Sequence, residues 1–271
     1  MSGSRPAAIV TGGGWNIGRA IALDLANAGH AVTVAARTVE RLEETAALVR
    51  AAGGDVLVVP TDVTSVESTE RLIGATVEAF GRIDALVNIA GGFGAEGTVD
   101  TVDPAEWIGV LQRNVVGSFL CTRAALPQLK RQSRANVINC AGAGAFFPQL
   151  GWPITAYATS KAALCRFTDQ LAAELLETNI RVNCIEPGMV WDPPMLAQVE
   201  AEERASGEPH PMRSHNRPPE AAAELVRWLV SDAAAEINGR LISVNDDWWR
   251  DPETTAAVAA GDAYRLRRTS L

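Results

Sequence analysis

The chain has 271 residues, 47% of them hydrophobic, with a net charge of −8 and a pI near 5.0. That is ample material for one large core, and the acidic balance excludes a general binder of nucleic acid or anionic membrane. No apolar run approaches a membrane span, and Met1 to Val10 lacks a signal-peptide pattern.

Cys121, Cys140, Cys165 and Cys184 are scattered without a Cys-x-x-Cys pair, and read as reduced core thiols of a cytoplasmic protein. The three histidines have no ligand spacing; His210 and His215 fall in a Pro-rich stretch, so no metal site is expected.

Ala7 to Val10 is a short apolar strand that meets Thr11-Gly12-Gly13-Gly14-Trp15-Asn16-Ile17-Gly18, and a helical pattern follows until Gly29. Strand, glycine-rich turn and helix form a phosphate-binding arrangement: small residues admit a pyrophosphate to the backbone, and the helix N-terminus faces the anion. The second strand, Ala31 to Ala36, ends without the acidic residue that binds adenosine ribose hydroxyls in a dinucleotide fold. Arg37 stands there instead, with Arg41 as a second contact, which favours a 2′-phosphate and so NADP(H).

The alternation continues with a helix from Thr38 to Ala52, a strand from Val56 to Val59, Thr61-Asp62-Val63, a helix from Ser65 to Phe80, and a strand from Ile83 to Val87 that runs into Asn88-Ile89-Ala90-Gly91-Gly92. Strands that are apolar throughout mark a parallel sheet covered on both faces. Pro104 to Leu126 reads as one long helix holding Asn114, a poor mid-helix residue. Asn136 to Ala141 is the fifth strand, followed by Gly142-Ala143-Gly144 and then Tyr157 and Lys161 on a helix expected from Thr159 to Leu176.

Residues four apart share a helix face. A phenol beside an ammonium is a recognisable proton-transfer pair, because a fixed cation favours phenolate and moves the pKa of ~10 toward the working range. Ile180 to Ile185 is the sixth strand, leading to Pro187-Gly188-Met189-Val190. Residues 191–219 show no clear period and read as a substrate loop; Glu220 to Val230 is a helix and Leu241 to Val244 the seventh strand. The expected organisation is a doubly wound α/β domain over 1–247 with a seven-stranded parallel sheet, and a tail over 248–271 packing on the domain or a neighbouring subunit. Trp248 and Trp249 need cover there, and Arg265, Arg267 and Arg268 make a basic end.

Together these motifs resemble the short-chain dehydrogenase/reductase family over about Ala7 to Trp248. The resemblance implies cofactor contacts from Gly12, Gly14, Trp15, Asn16, Ile17, Gly18, Arg37, Asp62, Val63, Asn88, Ala90, Gly91, Pro187, Gly188 and Val190. It implies Tyr157 as general acid/base, Lys161 on the nicotinamide ribose, and Asn114 holding a water in a relay to Lys161.

Four departures stand out: Asn16 for a glycine of the turn, Ile89 for a second Asn, Asp192 for a Thr that caps the cofactor carboxamide, and no Ser or Thr between Ser133 and Thr155. Gly142 takes the place of the family's catalytic Ser, and Gly142 and Ala143 then border the substrate, with room for a bulkier one. The expected activity is NADP(H)-dependent interconversion of a carbonyl and an alcohol on a small molecule by a homotetramer or dimer. A redox-inactive NADP(H)-binding scaffold, or non-redox proton transfer on the same fold, are the alternatives.

Overall fold

The computed structural model describes residues 5–266; Arg267, Arg268 and the first four residues lie outside the described residues. The elements run β1 Ala7–Thr11, α1 Asn16–Asn27, β2 Ala31–Ala36, α2 Val39–Ala51, β3 Val56–Pro60, α3 Val66–Phe80 and β4 Ala85–Asn88. There follow α4 Pro104–Leu111, a π turn Gln112–Val116, α5 Gly117–Leu129, β5 Ala135–Cys140, α6 Thr155–Glu174 and β6 Ile180–Glu186. The chain ends with α7 Pro193–Ser206, α8 Pro219–Val230, β7 Leu241–Ser243 and α9 Pro252–Ala260.

The seven strands form one parallel sheet in the order β3-β2-β1-β4-β5-β6-β7. Side chains alternate along each strand, so each strand feeds two cores. Ala8, Val10, Val32, Val34 and Val87 pack beneath α1, α2 and α8 with Leu25, Leu42 and Leu225. Ile9, Ala35, Leu86, Val137 and Val182 pack on the other face against Leu72 of α3, Ala125 of α5 and Leu171 of α6. Burial on both faces is why these strands are apolar throughout rather than alternating.

β1 pairs with β2 on one side and β4 on the other, so the winding reverses between β1 and β4. In open α/β sheets the ligand crevice lies outside the strand ends at such a point. Thr11 clamps it: its hydroxyl donates to the Val87 carbonyl at 3.4 Å and accepts from the Ala90 N–H at 3.1 Å.

Three regions differ from the sequence expectation. Residues 191–219 are not all loop, because Pro193–Ser206 is helical. The Asp192 carboxylate caps it by accepting from Met195 N–H, two prolines fill its first turn, and Gly207 ends it at φ +74°. Only Val199 of this helix is buried, so it carries no apolar period to find. The Tyr/Lys helix starts at Thr155, four residues before the expected Thr159. Trp248 and Trp249 find their cover within the chain, at 9% and 4% exposed. Both rings lie within 6 Å of Trp228 on α8, and Trp248 also lies 5.0 Å from Tyr264 with the ring planes tilted by 33°.

Candidate active site

The carboxyl ends of the strands open into a cavity of about 980 Å³, the size of a large ligand site. Its floor is the turn between β1 and α1. A Cβ on Gly18 would lie 2.1 Å from the Gly12 carbonyl oxygen, and one on Gly12 would lie 3.0 Å from Ala90 N. Gly12 holds φ +71° and Asn16 φ +44°, a conformation that Asn tolerates better than other side chains. Gly14, Trp15, Asn16, Ile17 and Gly18 line the cavity at the N-terminus of α1. Backbone laid bare by missing side chains, facing a helix start, fits a dinucleotide pyrophosphate.

At one end of the cavity stand Ala36, Arg37, Arg41, Asp62 and Val63. The Arg41 guanidinium lies 4.5 Å from the Trp15 ring centre and Arg19 lies 5.3 Å from it. Arg19 is engaged by Glu44 at 2.6 Å, whereas neither Arg37 nor Arg41 has a salt-bridge partner among the described residues. The Thr64 N–H and hydroxyl hold the Asp62 carboxyl below its ordinary value. At the middle of the cavity Ala90 and Gly91 follow β4, and Pro187, Gly188 and Val190 follow β6. The Gly188 N–H donates to Glu186 at 3.1 Å, and Ser243 of β7 donates to the same carboxylate at 2.6 Å.

Asn88 and Asn114 lie behind this wall, at 2% and 1% exposed. The Asn88 amide donates to Thr122 at 3.2 Å and to Asn139 at 2.9 Å, tying β4 to α5 and β5. Asn114 sits at the centre of the π turn, a widening of the helix often found at functional sites. It accepts from the Gly92 N–H at 2.9 Å and donates to the Gly92 carbonyl at 3.2 Å and to Ser160 on α6 at 2.8 Å. It therefore joins three elements at one residue.

Tyr157 and Lys161 occupy the first turns of α6, 8% and 5% exposed, and both line the cavity. The ammonium donates to the Cys140 carbonyl at 2.8 Å, at the end of β5, and lies 5.5 Å from the phenol ring centre. The expected lowering of the phenol pKa by Lys161 is not what this protein's own groups produce. Burial pushes the Tyr157 phenol well above the ordinary tyrosine value, and Cys140 and Glu186 push the same way. The phenol oxygen makes no hydrogen bond within the described residues, so it is free to meet a ligand.

Gly142 and Ala143 line the cavity as well. In the chain without ligand the phenol fills the space left by the absent side chain at Gly142: a Cβ there would lie 2.3 Å from the Tyr157 oxygen. Most of the remaining wall comes from the stretch read as a substrate loop, residues 191–219, whereas Phe93 and Trp152 were not anticipated from sequence. The wall carries Phe93, Trp152, Trp191, Met195, His210 and Met212, with Trp191 edge-on to His210 at 5.4 Å. Phe93 stacks on Tyr157 with ring centres 3.9 Å apart and planes 19° from parallel. A lone aromatic among Gly91, Gly92, Gly94 and Gly97 was the only sequence signal for it.

A glycine cradle at a winding reversal, continuous with a buried phenol and ammonium, defines an oxidoreductase site of the dinucleotide-binding kind. The short chain dehydrogenase family profile matches residues 6–204, and the chain belongs to that family. It is 35% identical over 244 residues to the short chain dehydrogenase/reductase astE of Aspergillus oryzae, covering 88% of this chain and 92% of that one. It is 38% identical over 186 residues to the short-chain reductase protein NovJ of Streptomyces niveus, covering 69% and 70%. Among solved structures it is similar to a variant actinorhodin polyketide ketoreductase with NADPH, at TM-score 0.78 and 30% identity over 89% of this chain and 95% of that one. NAD⁺-bound xylitol dehydrogenase is similar at TM-score 0.79 and 30% identity, covering 90% and 98%. No helix among the described residues is long and apolar enough to cross a membrane, and no group of three metal-ligating side chains occurs among them.

The phenol's environment is open to measurement. A group whose folded pKa is raised contributes stability below its unfolded value of ~10 and loses it as pH rises through the folded value. Alkaline titration of the unliganded protein at the phenolate absorbance band should show a step above ~10 that disappears in Tyr157→Phe. Tyr264, the other tyrosine, is also raised by burial, so the difference between the two proteins isolates Tyr157. A Tyr157 step at or below ~10 contradicts this picture.

Proposed function

We propose that this protein is an NADP(H)-dependent reductase of small organic ketones, with Tyr157 as the proton donor. The observation that carries it is the single cavity in which the glycine cradle, the unpaired Arg37 and Arg41, and the Tyr157–Lys161 pair meet. The nicotinamide supplies the hydride when NADPH is bound. The turn from Gly12 to Gly18 holds the pyrophosphate, and Arg37 and Arg41 take the 2′-phosphate in place of the missing carboxylate at Ala36. Asp62 and Val63 border the adenine. Lys161 meets the nicotinamide ribose, and Ala90, Gly91, Pro187, Gly188 and Val190 shape the space beside the ring.

Tyr157 is protonated at neutral pH, as a tyrosine with a pKa of ~10 or above must be, and gives its proton to the alkoxide as the carbonyl is reduced. In the family pattern a Ser hydroxyl would bind that oxygen, and Gly142 takes its place. The Gly142 and Ala143 N–H groups, which donate to nothing among the described residues, are the donors left at the site. Asn114 supports the reaction by bracing Gly92 and α6 rather than by touching the substrate.

The activity is tested with a panel of ketones and NADPH, followed at the nicotinamide absorbance band. Tyr157→Phe should cost on the order of 10²–10⁴ in kcat on any ketone turned over, with NADPH affinity retained. Undiminished turnover would remove Tyr157 from the mechanism.

Cofactor choice is a separate measurement. By calorimetry NADPH should bind more tightly than NADH, and Arg37→Ala with Arg41→Ala should weaken NADPH about 10-fold or more while sparing NADH. Equal binding of the two cofactors by the unaltered protein refutes the assignment.

We also propose a homo-oligomer. Ile108, Val116 and Phe119 are 52%, 40% and 45% exposed along α4, the π turn and α5, beside Phe167 of α6. Light scattering at micromolar concentration should give a multiple of 28.7 kDa, and a monomer would contradict it.

A further inference from the structure

Two features around Tyr157 are unexplained by the reaction. Gly142 does not have the positive φ that favours glycine, so its backbone would accept any side chain. What a side chain there would displace is the phenol: a Cβ would lie 2.3 Å from the oxygen, 3.1 Å from Cζ and 3.4 Å from Cε1. Phe93, for its part, is 54% exposed although its ring lies flat on Tyr157. An aromatic kept for core packing would be buried; the ring contact this one makes is with Tyr157.

We infer that Phe93 is a positioning residue for Tyr157: its ring and the bare Cα of Gly142 form a slot that sets where the phenol oxygen points. The phenol has no hydrogen bond within the described residues to orient it, so packing does so.

The segment carrying Phe93 is itself held. Gly91, Gly94 and Ala95 take φ of +157°, +131° and +55°, and Gly92 is bonded at both its N–H and its carbonyl by Asn114. A Cβ on Gly91 would lie 2.4 Å from the Asn114 amide oxygen, so glycine is required there too. The order of support runs from Asn114 through Gly92 to Phe93, and from Phe93 to the phenol. This rests on the reading of Tyr157 as proton donor, but the slot can be tested without it.

The titratable groups around the phenol are Lys161 from its own helix, Cys140 from β5 and Glu186 from β6. Phe93→Ala leaves all three in place and opens one face of the ring to water. In the unliganded protein the alkaline titration step of Tyr157 should then fall toward ~10, and Phe93→Trp, which keeps a stacking ring and adds no phenol, should restore it.

With NADPH and a ketone from the panel, Phe93→Ala should lower kcat by about 10²-fold with smaller change in KM, as a displaced catalytic group does. NADPH affinity by calorimetry should stay within about twofold, since Phe93 lies off the cradle. Gly142→Ala should push the oxygen out of its seat and cost a similar factor. Adding Phe93→Ala to it should then cost less than the product of the two losses, because the ring gains room to turn.

An unchanged titration step in Phe93→Ala, or losses that multiply independently, overturns the inference. Should no ketone be turned over, the reductase reading fails while the titration still decides the slot.

Discussion

The arrangement depends on close backbone approach at the ends of β1 and β4. A side chain at Gly12 would press on Ala90, and one at Gly18 would collide with the Gly12 carbonyl. These contacts, with the Thr11 hydroxyl bonded to both Val87 and Ala90, fix the two strand ends against the first helix. Parallel pairing then dictates the rest: each strand needs a helical crossover, so every functional loop emerges on one edge of the sheet. The cradle, the segment after β4, the glycine run after β5 and the turn after β6 meet because the topology leaves them nowhere else to go.

Much of this was legible in the chain. Strands buried on both faces read as unbroken apolar runs, and the glycine turn between β1 and α1 stands where a phosphate site must. Asn16 supplies the positive φ its identity suggested. What was not legible has a physical pattern. Helix α7 buries only Val199, so periodicity could not show it, although Asp192-Pro193-Pro194 at its start and Gly207 at its end were usable signals. Asn114 looked out of place in a helix, but neither the π turn nor the bond to Gly92 is local information. Trp248 and Trp249 seemed to lack cover because Trp228 lies twenty residues away in sequence.

The glycine run after β5 is the sharpest case. From sequence, the absence of a hydroxyl at Gly142 looks like a vacancy that a larger substrate would fill. In the fold that volume is taken by the end of the Tyr157 side chain. The approach of α6 to the end of β5 decides the matter, and no pattern within residues 141–161 encodes it. Residue type alone therefore does not show that the phenol lies against Gly142.

The same geometry bears on how a phenol can work here. Lys161 spends a hydrogen bond on the Cys140 carbonyl, which anchors the ammonium to β5 instead of to the phenol oxygen. Burial then dominates, and the protein on its own keeps Tyr157 neutral. A raised pKa makes the phenol a weaker acid as well as a rarer base, since phenolate must form in this slot whichever way a proton moves. No hydrogen bond formed among the described residues reaches the phenol oxygen to stabilise that charge. The packing of the phenol between an aromatic ring and a bare Cα is thus also what disfavours its charged form.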